Sequence, residues 1–109
     1  MSAADPDIAG LAALAPAATR HTEAGITYFH LPGICFPSCG QMLKREALLC
    51  VTPHGGYPTR LMLSARAPKG GNWFVHHALA RNWEWLSVSG IMADRPAVEV
   101  LAEHLEMYR

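Results

Sequence analysis

The stretch from Gly70 to Pro96, GGNWFVHHALARNWEWLSVSGIMADRP, holds all three tryptophans of the chain (Trp73, Trp83 and Trp85), the adjacent pair His76 and His77, and two serines, Ser87 and Ser89. Its glycines and polar groups interrupt the period of any single helix or strand, so it reads as a long irregular segment. Ordering such a segment inside a small domain costs backbone entropy that something must offset, which places the functional site here. His76 and His77 are neighbours, so in extended backbone they point to opposite faces, whereas Trp83 and Trp85 share one, most simply the core.

Upstream, three runs read as strands. Gly25 to Leu31 is β-branched and aromatic and stops at Pro32-Gly33. Glu46 to Thr52 is mostly apolar and ends at Pro53, as a central strand would. Arg60 to Arg66 alternates, with Leu61, Leu63 and Ala65 on one side and Met62 and Ser64 on the other. The short connections between them favour an antiparallel meander. Downstream, Asp94 is the expected N-cap of a closing helix, and Pro96 falls in its first turn. Val98, Leu101, Leu105 and Tyr108 form its apolar stripe, with Glu99, Glu103 and Glu106 facing water. At the other end, residues 1–7 read as a frayed tail, and Asp7 caps a short helix over Ile8–Ala15 that Pro16 ends. The whole is an α+β fold, a small antiparallel sheet against N- and C-terminal helices, in one domain over residues 1–109 with residues 1–20 as tail and short helix.

Composition narrows the function. Nine basic and nine acidic residues cancel, so the chain lacks the electrostatic footprint of a nucleic-acid binder. No apolar run has the length of a membrane helix. Asp5 and Asp7, without an early Lys or Arg, argue against a secretory leader. Three cysteines, an odd number, fit reduced thiols in the cytoplasm. Gly55-Gly56 and Gly70-Gly71 lack the Lys-Ser/Thr of a phosphate loop, and no cofactor is expected.

The order of motifs carries a resemblance. Pro53-His54-Gly55-Gly56-Tyr57-Pro58 resembles the Pro-x-x-Tyr-Pro turn of the ubiquitin-conjugating (E2, UBC) fold, with Leu61 to Ala65 as the strand after it. His77-Ala78-Leu79 stands where that family has His-Pro-Asn, and Arg95-Pro96 opens the next helix. The run from His77 to Ser87, followed by Arg95-Pro96 and Leu101, is similar to the bacterial proteins of the prokaryotic E2 family E. The resemblance covers about residues 25–109 and implies a UBC-like fold. It also implies an acyl-carrier role with a ubiquitin-like modifier protein, an E1-like activating enzyme and a peptidase as associates. The chain departs from the family pattern twice. Ala78 and Leu79 replace the motif's Pro and Asn, and no cysteine follows Cys50, so Ser87 holds the nucleophile's position.

A serine in that role would carry the modifier as an oxyester, and its hydroxyl would need a base. His76, His77 and Glu84 are the candidates for base and orienting group, and Asn82 or backbone N–H groups for oxyanion contacts. This chemistry requires His77 and Ser87 to face a common groove beside the meander. The plainer reading makes Ser87 a turn serine and the tryptophans core. Two further classes compete: a UBC-fold adaptor that binds the modifier or its activator without acyl transfer, and a zinc protein using Cys35, Cys39 and His54 or His76, although Cys-x3-Cys is not the common zinc spacing.

Overall fold

The computed structural model describes residues 5–109 and shows an α+β domain with a six-stranded antiparallel sheet and two helices. In chain order these are α1 (Pro6–Leu11), β1 (Thr19–Glu23), β2 (Ile26–Ser38), β3 (Gln41–Cys50), β4 (Arg60–Leu63), β5 (Trp73–Ala78), β6 (Arg81–Leu86) and α2 (Ala97–Glu106). The sheet order is β1-β2-β3-β4-β6-β5. The first four strands are the meander that the sequence predicts, with one strand more than expected, and β5–β6 is a hairpin added beside β4.

That hairpin corrects the irregular reading of Gly70–Pro96: its first half is regular strand. The reversal is a two-residue turn at Leu79-Ala80, both at positive φ (51° and 63°). Such a turn matches the twist of the flanking strands, but its usual markers are Asn-Gly or Asp-Gly. Neither is present, so the sequence hides it. Leu79 and Ala80 sit in a left-handed region that costs an L-residue roughly 1–2 kcal/mol. Exposed Ala80 is the clean site to relieve this. Ala80→Gly is expected to raise folding stability by about 1 kcal/mol in urea denaturation; a loss instead would mean that the left-handed turn does not form.

The turns at Ala24-Gly25 and Cys39-Gly40 have the same double positive φ (52° and 78°, 48° and 85°). The second joins β2 to β3 and turns the expected connection after Leu31 into continuous strand. Pro32-Gly33, expected to end that strand, is absorbed as a register shift between Leu31 and Ile34, where a proline removes no ladder bond.

α1 begins earlier than expected. Asp5, not Asp7, caps it, accepting from the N–H of Asp7 (3.0 Å) and Ile8 (3.4 Å), with Pro6 in the first turn. The frayed tail expected over residues 1–7 falls partly outside the described residues, and its last three belong to this helix start. Asp7 is thereby free to accept from the Ala97 N–H at the start of α2 (3.0 Å). Asp94 is not the N-cap of α2; Pro96 holds that position and offers no side-chain acceptor, so the cap comes from the other helix. The buried stripe of α2 is Ala97, Val100, Leu101 and His104, with Tyr108 beyond its end, while Val98 and Leu105 lie at the margin.

Both faces of the sheet are buried. One packs Phe29, Leu31, Ile34, Phe36, Leu49, Leu61 and Leu63 against the helices. The other buries Tyr28, Leu48, Cys50, Met62, Trp83 and Trp85, with no helix over it among the described residues. The sheet covers this second face by curling. The Tyr28 hydroxyl on β2 lies 2.9 Å from His76 Nε2 on β5, four strands along the order. A flat sheet would hold those backbones roughly 19 Å apart. Glu23, at the end of β1, likewise accepts from the Leu79 N–H at the β5–β6 turn. Trp83 and Trp85 fill the inside of the curl, on one face as their parity predicts.

Candidate functional site

The connection between β3 and β4 is a miniature hairpin. His54 and Tyr57 exchange both backbone hydrogen bonds (3.0 and 3.1 Å), and Gly55 and Gly56 reverse the chain at φ 59° and 87°. Tyr57 is held over the sheet with its ring edge on Trp85 (centroids 4.9 Å apart, planes at 83°). Its hydroxyl is 2.6 Å from Ser87 Oγ. Arg60, the first residue of β4, lies under the hairpin with its guanidinium against the rings of Trp85 (4.6 Å) and Tyr57 (5.1 Å). Nη1 donates to His54 Nδ1 and Nη2 to the His54 carbonyl, each at 2.7 Å. The His76 ring stands 6.3 Å from that of His54. Burial, with the nearby Arg60 and His54, lowers the His76 pKa, so it is a neutral imidazole on Tyr28 at neutral pH. On its outer side, Pro53 to Pro58, His54 and Tyr57 among them, and Met92 line an open, shallow cavity of about 440 Å³, within the size range of small-ligand sites.

The five residues singled out from the sequence fall into separate places. Ser87 lies on the Trp85 face, and its hydroxyl partner is a phenol. His76 shares that face but is committed to Tyr28. His77 is on the opposite face near the hairpin tip, where Nδ1 meets Asn82 Oδ1 at 3.0 Å. Glu84, also on that opposite face, is paired with Arg66 at 2.7 Å. His77 stands opposite Asn82, five positions along β6 from Ser87, a separation of roughly 17 Å. The expected common groove for His77 and Ser87 is therefore not formed. An odd number of positions along a pleated strand reverses the face, and the strand character of this segment was the missing premise.

The zinc reading fails similarly: no group of three His, Cys, Asp or Glu side chains that could hold a metal occurs among the described residues. Cys35 and Cys39 are exposed near the β2–β3 turn, whereas His76 meets Tyr28 at the other end of β2. Seven residues of strand, roughly 23 Å, separate Cys35 from Tyr28. Cys50 is buried, and burial pushes its thiol pKa up, away from nucleophilic use.

Tyr57 was quoted only as part of a turn, His54 only there and as an optional zinc ligand, and Arg60 only as a strand start. The signal that could have found them is the His-Gly-Gly-Tyr run, a two-residue reversal that folds both flanking side chains toward the next strand. Nothing local marks Arg60 as buried. No helix of the described residues is long and apolar enough to cross a membrane. Comparison of the chain with protein-family models, curated proteins and solved structures finds no match.

Proposed function

We propose that this chain is a binding adaptor of UBC-like fold that docks a ubiquitin-like modifier or its E1-like activating enzyme and carries out no acyl transfer. The observation that supports it is the 2.6 Å contact of Ser87 Oγ with Tyr57 Oη. A serine acyl carrier needs a base in hydrogen-bond reach, such as an imidazole or a carboxylate; the partner of Ser87 is a phenol hydroxyl instead. No imidazole or carboxylate hydrogen-bonds to the Ser87 hydroxyl among the described residues. Two of the three thiols lie far along the sheet and the third is buried. The UBC-like reading draws its support from the order of a helix, a meander, the Pro53–Pro58 turn and the Arg95-Pro96 helix start, which resembles that family's.

The test is incubation of the full chain with a ubiquitin-like modifier, its E1-like enzyme and ATP. No covalent adduct is expected, while binding of one of the two proteins saturates and changes less than about twofold in Ser87→Ala. An adduct that resists reductant, is cleaved by hydroxide and vanishes in Ser87→Ala would replace the adaptor with an oxyester carrier. A reductant-labile adduct would instead assign a thioester to a cysteine.

A further inference from the structure

Arg60 is the buried arginine without an acid. Arg20, Arg66, Arg81, Arg95 and Arg109 each meet a carboxylate, on Asp5, Glu84, Glu46, Glu103 and Glu106 respectively. Arg60 is 6 % exposed, has no carboxylate within salt-bridge distance among the described residues, and leaves its Nε–H buried without an acceptor. A guanidinium has five N–H groups, and among the described residues only His54 accepts from this one. The faces of Trp85 and Tyr57 take up part of the charge, but a buried cation without a counter-charge remains costly.

The charge sits directly behind the cavity wall. A Cβ placed on Gly55, which lines the cavity, would lie 2.6 Å from Arg60 Nη2, so the guanidinium packs directly against the cavity-lining hairpin. Because Arg60 can only donate, His54 Nδ1 must accept, and the imidazole hydrogen is on Nε2. His54 is exposed and lines the cavity, so it offers that N–H with a cation behind it. Tyr57 and Ser87 share one hydrogen bond and retain a second hydroxyl hydrogen to donate. The rest of the lining is apolar, chiefly Pro53, Pro58 and the half-exposed Met92.

We propose that this cavity binds an organic carboxylate carried on an apolar group, His54 Nε2–H donating to the carboxylate and Arg60 supplying the opposite charge from beneath. A single cation behind mostly apolar walls matches a monoanion; a phosphate dianion would lack the donors and charge it needs. The proposal stands whether or not the chain works beside a ubiquitin-like modifier.

The test is a two-dimensional NMR titration of the full chain with four probes: 3-phenylpropionate, N-acetyl-Ala-Phe with a free carboxylate, the same dipeptide as its C-terminal amide, and inorganic phosphate. Saturable shifts centred on His54, Tyr57 and Met92 are expected for at least one of the two acids, with a Kd of about 1 mM or tighter. The amide and phosphate should bind at least about tenfold more weakly. Saturation by the dipeptide alone would identify a peptide C-terminus as the source, and saturation by 3-phenylpropionate a free acid. His54→Phe, at an exposed position, keeps the backbone carbonyl that accepts from Arg60 and should weaken binding about tenfold. Arg60→Met should do the same wherever its amide spectrum remains folded, and His54→Phe decides if it does not. No saturation by either acid, equal binding of the amide or phosphate, or unchanged affinity in His54→Phe would overturn the proposal.

Discussion

Replacing Trp83 with alanine is expected to lower folding stability by about 3–5 kcal/mol, the range for deleting a large aromatic side chain from a packed core. Trp83 is 1 % exposed on the face of the sheet that no helix of the described residues covers. Arg81 stacks on its ring at 4.3 Å, the edge of His30 approaches at 6.2 Å, and its Nε1–H donates to the Ala78 carbonyl at 3.0 Å. Alanine would leave a void inside the curl, whose lining loses its packing contacts, and would remove a donor from a buried carbonyl. Chemical denaturation of the two proteins side by side measures the loss. Trp73→Ala is the control: Trp73 is half-buried at the edge of the other core and should lose less. A loss below about 2 kcal/mol for Trp83→Ala would mean that the second face is not a core and that the sheet does not curl around it.

Acidification from pH 6.5 toward pH 4 is expected to remove about 3 kcal/mol of stability through His104 alone. This imidazole is 3 % exposed on α2. The Thr59 hydroxyl donates to the Ile91 carbonyl (2.7 Å), so His104 Nε2–H is the donor to Thr59 Oγ1 (2.8 Å). Burial, and to a lesser degree the nearby Arg95, lower its pKa from 6.5 to about 4. In the unfolded chain the ring takes a proton below its ordinary value, whereas the folded protein refuses one until about pH 4. Between those two values the unfolded state binds one proton more. Stability therefore falls as pH falls, by about 1.4 kcal/mol per pH unit, and is fully present above pH 6.5. His76, also lowered by burial, acts in the same direction. Urea denaturation at pH 7 and pH 4.5 should show the slope in the parent. It should be much reduced in His104→Gln, which keeps a donor for Thr59 but cannot titrate. An unchanged slope in that variant would assign the acid sensitivity elsewhere.

The helix after Pro96 and the strands around Tyr28, Leu48 and Leu61 were legible because an apolar run reports its own burial. Parity was equally legible: neighbours His76 and His77 part, and Trp83 and Trp85 share a face. The β5–β6 hairpin was not, because Leu79-Ala80 carries none of the residues that mark a left-handed turn. β1 was missed too: its TRHTE is polar, short and at the sheet edge, and leaves no hydrophobic signature. Missing the hairpin also displaced the candidate site, since strand geometry sends His77 and Ser87 to opposite faces.

Local chemistry by itself determined which segments bury apolar surface and which side chains must alternate, since both depend on residues one to four positions apart. Only the tertiary structure decided that the sheet curls, that Asp7 caps the other helix, and that a buried Arg60 without an acid lies under His54 and Tyr57. Those outcomes join residues as far as 90 positions apart in the chain. Their energies come from excluding water between surfaces that no local pattern reveals as partners.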